Sequence, residues 1–363
     1  MRPVVVIENL EVIAPNFKRR LSGVTSTIVQ LIPAQRALGC NIAVLGPGLP
    51  AHLPHLRFRD LRKLWRKPQS GANRVWHARR NAEMLPGIVL RDLLLMPIRL
   101  IFTSASQRHH TAYTKFLIGK MDHVIAVSDK TAAYLDVPCT VIMHGIDTAR
   151  FCPPQDKAKA KSDAGLPSDK KIVGCFGRIR HQKGTDRFVE AMTAFLPNHP
   201  DWIAVIAGRA TAEHAGFDRS LRNRVETAGL AERILFVGEH TDIERWYQAL
   251  DLFVAPQRWE GFGLTPLEAM SCGVPVAATD VGAFSELVID GVTGLLTENE
   301  DAAIAAAAVQ LADDQGKREA MAAVCREHIL DNFRLAREAE QINAVYAGLR
   351  RAGDGMWKAR ETP

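Results

Sequence analysis

The sequence predicts an α/β protein built from two doubly wound parallel sheets. A chain of 363 residues is too long for one core of ordinary size and suits two domains. Short, nearly continuous apolar runs alternate with stretches of helical pattern, as is typical of strands buried on both faces of a parallel sheet. These runs form two series separated by a gap, which indicates two sheets with helices on both faces.

Each series of apolar runs predicts the strands of one sheet. The first sheet is expected to contain strands at residues 4–7, 41–45, 99–102, 123–127 and 140–143. The second is expected to contain strands at residues 171–176, 203–207, 233–237, 252–255 and 275–278. Helical spacing follows at residues 302–313, 315–330 and 335–351.

The gap between the two series marks the domain boundary. It starts at Pro153 and Pro154 and is rich in Pro, Lys, Asp and Ala, so residues 151–170 are expected to form a linker. The N-terminal domain then covers residues 1–150 and the C-terminal domain residues 171–334. We expect the last helix, at about 335–352, to pack back on the N-terminal domain.

Composition and charge restrict the class of protein. Apolar residues make up 47% of the chain and charged residues 24%, as in globular proteins rather than disordered ones. The longest apolar stretch, residues 85–102, is interrupted by charges and prolines, and the N-terminus lacks the features of a signal peptide, so a cytoplasmic protein is expected. Residues 1–150 contain 21 Lys and Arg against 9 Asp and Glu. Such a basic half indicates an anionic partner, such as a phosphorylated glycolipid, a membrane surface or nucleic acid.

One segment of the second half combines a glycine-rich turn with two carboxylates. After a predicted strand the chain reads PQRWEGFGLTPLEAMSCGVPV, with Glu260 in the turn and Glu268 in the helix that follows. The turn exposes backbone N–H groups at a positive helix end, where anionic or hydroxyl-rich ligands bind. The two carboxylates could bind hydroxyls along one extended ligand, or Glu268 could simply face solvent.

A second segment places two cations after the first strand of the second sheet. It reads GRIRHQKG, with Arg178 and Lys183 five residues apart, close enough to bind one diphosphate. The alternative is a solvated basic loop. The chain contains no D-x-D pair, so the acidic ligands of a metal-dependent transferase are missing and no metal site is expected.

Both segments resemble motifs of the retaining GT-B glycosyltransferases of family 4, whose two Rossmann-like domains face each other across a cleft. The first matches the family's E-x7-E signature and the second its G-R-x-x-x-x-K-G motif. The resemblance implies that Glu260 contacts the donor sugar, Glu268 binds the nucleotide ribose, and Arg178 and Lys183 stabilise the leaving diphosphate. It also implies donor contacts by the backbone of a short run of residues, namely Gly261, Phe262, Gly263, Leu264 and Thr265.

The resemblance continues in the N-terminal half, with one departure. Gly23, at the start of the first helix, matches the glycine of the family's first loop, which lies close to the donor, although a single glycine turn is often just a connection. The position of the family's functional histidine is Ala105 here, and His110, or alternatively His109, is expected to supply the imidazole. His77 could be functional or an ordinary structural residue.

Basic residues are concentrated in one stretch of the N-terminal half. Apolar side chains are interleaved with them, so the stretch is either a face that contacts an anionic membrane or a solvated basic face. The residues are Arg57, Arg59, Arg62, Lys63, Arg66, Lys67, Arg74, Arg79 and Arg80.

Together these observations predict a retaining glycosyltransferase. The subgroup resemblance, carried by the residues TSASQRHH at 103–110, points to transfer of mannose from GDP-mannose to a lipopolysaccharide core acceptor at the cytoplasmic face of the inner membrane. The nucleotide-sugar is then a substrate, and no other cofactor is expected. The alternatives are a basic nucleic-acid-binding protein and a GT-B enzyme of another reaction type, such as an epimerase.

Overall fold

A computed structural model describes residues 5–18 and 23–351. It divides the chain into two compact units, which comprise residues 1–145 with 335–363, and residues 146–334. The predicted linker therefore lies inside the second unit, where the buried ring of Phe151 and the helix Lys157–Asp163 belong to its packing. The helix Leu335–Arg351 belongs to the first unit.

Both sheets are entirely parallel, as predicted for an α/β protein. The first sheet consists of β1 (Val12–Pro15), β2 (Ile42–Leu45), β3 (His55–Leu56), β4 (Arg74–Ala78), β5 (Ile98–Ser104), β6 (His123–Ala126) and β7 (Thr140–Val141). The second consists of β8 (Lys171–Phe176), β9 (Trp202–Ala207), β10 (Ile234–Gly238), β11 (Leu252–Ala255), β12 (Val276–Thr279) and β13 (Gly294–Thr297). Their spatial orders are β3-β2-β1-β4-β5-β6-β7 and β10-β9-β8-β11-β12-β13.

Thirteen α-helices connect and flank these strands in the described residues. They are α1 (Gly23–Ala37), α2 (Asn81–Ile88), α3 (Ala112–Ile118), α4 (Asp129–Ala132), α5 (Lys157–Asp163), α6 (Thr185–Phe195), α7 (Ala215–Thr227), α8 (Ile243–Ala249), α9 (Thr265–Ser271), α10 (Phe284–Leu287), α11 (Asp301–Asp313), α12 (Gln315–Asn332) and α13 (Leu335–Arg351).

The first predicted strand, at residues 4–7, is wrong in its described part, residues 5–7. Ile7–Asn9 form a 3-10 helix, and the strand is β1. The carbonyl oxygens of Ile7 and Leu10 accept hydrogen bonds from the buried guanidinium of Arg74, at 2.9 and 3.0 Å. A side chain, rather than a neighbouring strand, therefore satisfies the backbone here. The pattern also missed β3, β4 and β13.

The core of the first unit consists of two layers, one on each face of the sheet. On one side α1 and α13 pack on the sheet through residues such as Ile28 and Ile342. On the other side α2, α3 and a 3-10 helix, Phe58–Trp65, contribute Met84, Leu117 and Leu64 to a separate cluster. The sheet is therefore covered on both faces, as expected for a doubly wound fold.

Candidate functional site

The order in which strands are added to the second sheet reverses between β8 and β11. From β8 the chain moves outward to β9 and β10, and it then returns to place β11 on the other side of β8. In open parallel sheets, ligands bind at the carboxyl ends of the strands at such a switch point. Arg178 and Lys183 follow β8, and Glu260 follows β11, so the predicted residues lie on the two loops that border this point.

The loop after β8 approaches the loop after β11 closely. It forms a short 3-10 helix, His181–Lys183, and ends at Gly184 with φ +70°. A Cβ atom on Gly184 would lie 1.9 Å from the carbonyl oxygen of Pro256, which real atoms cannot do. Only glycine therefore allows the two loops to come this close.

Hydrogen bonds fasten the two loops together. The backbone N–H of Arg258 donates to the carbonyl oxygen of Gln182 at 2.9 Å, and the Gln182 amide donates to the carbonyl oxygen of Trp259 at 3.1 Å. The guanidinium of Arg258 forms a bidentate ion pair with Asp186, at 2.7 and 2.9 Å. These contacts hold Lys183 and Glu260 on adjoining walls of one site.

Lys183 and Glu260 form an ion pair across the switch point. Their side chains are 20% and 15% exposed, so the pair remains accessible to a ligand. The second carboxylate oxygen of Glu260 accepts from the backbone N–H of Gly261 at 3.0 Å. Exchange of Lys183 between this carboxylate and a phosphate is therefore chemically feasible.

Glu268 lies in the first turn of α9, and its carboxylate is positioned by Tyr247. The Tyr247 hydroxyl, which is completely buried, donates to one carboxylate oxygen at 2.8 Å. Burial raises the pKa of Glu268, and the hydrogen bond from Tyr247 opposes this rise. The other oxygen remains able to accept a hydrogen bond from a ligand hydroxyl.

The remaining predicted residues of the second unit lie along the same loops. Gly261, Phe262, Gly263, Leu264 and Thr265 lead from Glu260 into α9. The side chain of Phe262 is buried, so that residue can reach a ligand only through its backbone. Arg178 is exposed beside β8. Direct ligand contacts of all these residues stay predictions.

The predicted site residues of the first unit have few contacts that indicate a role. Gly23 begins α1, and no atom lies within 4 Å of a Cβ built on it; residues 19–22 of the predicted loop lie outside the described residues. His110 lies in the loop between β5 and α3, and burial lowers the pKa of its imidazole. His109 packs its ring edge against Tyr134. The role of His110, or alternatively His109, stays a prediction.

His77 is a structural residue in this fold. It is completely buried in β4, and its two ring nitrogens make 2.6 Å hydrogen bonds with the hydroxyls of Tyr346 and Thr103. Burial holds the pKa of the imidazole well below its usual value, so the ring is neutral. Its contacts tie α13 to the sheet.

The basic stretch at residues 57–80 divides into exposed and buried parts. Arg74 and Arg79 are buried, and the side chain of Arg80 is only 12% exposed. These three residues therefore do not belong to a continuous basic face. The other six, Arg57, Arg59, Arg62, Lys63, Arg66 and Lys67, are exposed.

Sequence reasoning missed the residues that support the site. Tyr247 precedes its partner Glu268 by 21 residues, and nothing in the local pattern marks it. Arg258 lies inside the recognised motif, yet its role depends on Asp186, 72 residues earlier. Gln257, in the same motif, has a carboxamide oxygen that is buried without a partner in the described part of the chain.

The two parallel sheets and their connections are those of the GT-B glycosyltransferases. The crystal structure of Alr3699/HepE from Anabaena in complex with UDP superimposes with a TM-score of 0.80 at 19% identity, over 94% of this chain and 100% of that one. At this identity the likeness establishes the fold alone. It confirms the predicted GT-B architecture.

Sequence relatives identify the family. The model of the glycosyl transferases group 1 matches residues 156–328. The lipopolysaccharide core biosynthesis mannosyltransferase LpsB of Rhizobium meliloti is 63% identical over 96% of this chain and 100% of its own length. Its counterpart LpcC of Rhizobium leguminosarum is 54% identical over 94% and 97%. The chain belongs to the group 1 glycosyltransferases and is itself a glycosyltransferase, as predicted.

Proposed function

We propose that this enzyme transfers mannose from GDP-mannose to a lipopolysaccharide core acceptor with retention of the anomeric configuration. Two relatives that match over nearly their whole length bear the name of lipopolysaccharide core mannosyltransferases, which supports the sugar and the acceptor. The observation that carries the donor site is the Lys183–Glu260 ion pair at the switch point of the second sheet. A cation and a carboxylate side by side suit a phosphate joined to a hydroxyl-rich sugar.

In this proposal the donor binds to the second unit. The diphosphate takes Lys183 as its counter-ion and is approached by Arg178, while Glu260 accepts hydrogen bonds from sugar hydroxyls. Glu268 accepts from a ribose hydroxyl through the oxygen that Tyr247 does not use. The glycine-rich run at residues 261–265 adds backbone donors.

The residues then act mainly on the leaving group. The bond between the anomeric carbon and the phosphate oxygen breaks, the acceptor oxygen bonds to that carbon from the same face, and the acceptor proton passes to the departing phosphate. Negative charge grows on that phosphate, and a fixed cation lowers the barrier by several kcal/mol. Glu260 orients the sugar and forms no covalent bond.

The acceptor is lipid-borne, so the enzyme works at the cytoplasmic face of a membrane. No helix in residues 5–18 and 23–351 is long and apolar enough to cross one. The exposed basic residues of the first unit are the groups that would meet phosphate at the surface.

A thermal-shift series with GDP-mannose, UDP-glucose, UDP-galactose, UDP-N-acetylglucosamine and ADP-heptose tests the donor. A ligand that binds only the folded state raises the melting temperature, so GDP-mannose should give the largest shift. NMR analysis of the product should then show a mannoside whose anomeric configuration equals that of the donor. A larger shift with another nucleotide-sugar contradicts the donor, and an inverted product or an epimerised nucleotide-sugar contradicts the mechanism.

A further inference from the structure

Exposed apolar side chains are concentrated on one layer of the first unit. Among the described residues sixteen large hydrophobic side chains are largely exposed, and nine of these lie on the layer formed by the 3-10 helix Phe58–Trp65, α2, α3 and the segment between α2 and β5. The opposite layer, formed by α1 and α13, exposes only Leu38, just after α1. We call the layer formed by the 3-10 helix, α2, α3 and the segment between α2 and β5 the apolar layer. Such asymmetry indicates a contact surface.

The most exposed of these side chains sit on a turn between α2 and β5. Leu93 and Leu95 are 73% and 78% exposed, more than any other large hydrophobic residue in the described part of the chain. Leu95 has φ +52°, and no other non-glycine residue among those described has a positive φ. An outlier of this kind persists only where the surroundings impose it, and it often marks a functional segment.

The turn has a defined conformation. It begins at Leu93, the last residue of the π-helix Val89–Leu93, and the backbone N–H of Met96 donates to the carbonyl oxygen of Leu90 at 3.0 Å. The indole N–H of Trp65 donates to the carbonyl oxygen of Leu94 at 2.7 Å. The turn therefore presents its leucines outward, and Trp65 joins it to the 3-10 helix.

That 3-10 helix supplies positive charge beside the leucines. Its acidic residue, Asp60, is buried and paired with Arg57 at 2.7 Å. A cavity of about 490 Å³ next to Trp65 is lined in part by four exposed basic residues, Arg62, Lys63, Arg66 and Lys67, against one exposed acidic residue, Glu8. Apolar tips and exposed cations thus share one surface.

We propose that the apolar layer docks on an anionic lipid bilayer, with Leu93 and Leu95 inserted at the acyl boundary and the basic residues of the 3-10 helix on lipid phosphates. This rests on the proposed function in that the acceptor is lipid-borne. A bilayer matches the combination of apolar tips, an interfacial tryptophan and clustered cations. A second copy of the chain, docked by the same surface, would bring like charges together.

The 3-10 helix Phe58–Trp65 runs between the two edges of the first sheet. At its start, the ring of Phe58 stacks on Phe17, 6.1 Å away, and Phe17 closely follows β1, at the carboxyl edge. At its end, Trp65 contacts the turn before β5, at the amino edge. Leu93 and Leu95 therefore lie at the amino edge, and only the Phe58 end of the helix lies at the edge where α/β sheets bind their ligands.

Vesicle co-sedimentation with the full-length protein tests the apolar part. Phosphatidylglycerol-containing vesicles should bind the wild type, and pure phosphatidylcholine vesicles should bind it far less. Leu93→Ser should weaken binding to the anionic vesicles roughly tenfold, because the variant lacks the leucine side chain that the bilayer would bury. Leu95→Asn, which keeps a residue that tolerates positive φ, should act similarly. Leu38→Ser, on the opposite layer, is the matched control and should bind like the wild type.

A charge series tests the basic part. The double variant Arg62→Gln, Arg66→Gln should lose roughly fivefold in binding for each charge removed, and added salt should reduce the difference. Arg224→Gln, Arg245→Gln removes two exposed charges from the second unit and should have no effect. The proposal is overturned if the wild type does not bind anionic vesicles, or if Leu38→Ser weakens binding as much as Leu93→Ser. It is also overturned if duplex DNA, rather than vesicles, binds the surface that carries Arg62 and Arg66.

Donor binding separates this inference from the proposed function. All these variants should keep the wild-type thermal shift with GDP-mannose, since none of the changed residues belongs to the donor site. A loss of vesicle binding with an unchanged donor shift supports docking by this surface. A missing donor shift in the wild type contradicts the proposed donor and leaves the vesicle results to be judged on their own.

Discussion

The two sheets share one order of connections, but the polar groups at their switch points differ. In the first unit the switch point lies between β1 and β4. There Arg80 donates to the side chains of Asn16 at 2.9 Å and Glu83 at 2.6 Å, and both acceptors are completely buried. In the second unit the pair Lys183 and Glu260 is partly exposed.

This difference shows that one topology serves two purposes. The buried groups of the first unit bond to one another and fix the loop after β1 against the start of α2. The accessible pair of the second unit can exchange its partners with a ligand. Loss of one member should therefore reduce stability in the first unit and turnover in the second.

The largest effect is expected for Glu83→Ala in the first unit. The carboxylate pairs with Arg80 and also accepts from the backbone N–H of Arg79 at 2.8 Å. Its removal takes away the carboxylate that faces the nearly buried guanidinium of Arg80, and breaking a buried ion pair typically costs about 3–5 kcal/mol of unfolding free energy. Urea denaturation followed by circular dichroism measures this loss.

Asp92→Ala is the matched control for that variant. Asp92 also pairs with a nearby arginine, Arg91 at 2.6 Å, but its side chain is 44% exposed. An exposed pair contributes about 1 kcal/mol or less. Equal losses in the two variants would show that burial does not distinguish the Glu83 network.

The next largest effect is expected for Lys183→Ala in the second unit. If Lys183 stabilises the leaving phosphate, its loss should lower turnover by about 100- to 1,000-fold. The melting temperature should change little, because the ion pair is partly exposed. Steady-state transfer assays with GDP-mannose and thermal melts measure the two quantities.

Lys159→Ala controls for the loss of one lysine. Lys159 forms an ion pair with Asp163 at 2.8 Å on the exposed face of α5 and does not border the switch point. Its variant should transfer mannose like the wild type. A Lys183→Ala enzyme of normal turnover would remove the functional contrast between the two switch points.

The sequence predicted the second unit better than the first because its strands, apart from the short β13 that was missed, are nearly continuous apolar runs. The strand at residues 171–176 was predicted with its observed bounds as β8. In contrast, β4 contains Arg74 and His77, which hide the apolar pattern although both are buried. The partner of His77, Tyr346, lies 269 residues away, so no local window could have shown that this polar strand is internal.

The same reason limits what the sequence says about the site. Lys183 and Glu260 follow neighbouring strands and belong to recognisable motifs, and the structure places them in contact. Tyr247 carries no motif of its own and becomes relevant only because its hydroxyl reaches Glu268. Residues that position others depend on tertiary packing, which local patterns do not encode.

The smallest effect, and the most specific, is expected for Glu268→Gln. If Glu268 binds the ribose, loss of this charge-assisted hydrogen bond should raise the KM for GDP-mannose by about tenfold, with less change in kcat. Glu226→Gln, on the exposed end of α7, should leave both constants unchanged. An unchanged KM in Glu268→Gln would remove the carboxylate from the donor site.

Stability against pH gives a second test of Glu268 that does not depend on activity. Burial raises the pKa of this carboxyl above its ordinary value of 4.5, so the folded state holds the proton to higher pH than the unfolded state. The wild type should therefore lose stability relative to Glu268→Gln as the pH rises from 4.5 through the raised pKa, and the difference should then stay constant. Melting temperatures of both proteins from acid to neutral pH measure this. A wild type that instead gains stability relative to Glu268→Gln as the pH rises would mean that the folded protein favours the charged form of Glu268, and it would contradict the raised pKa.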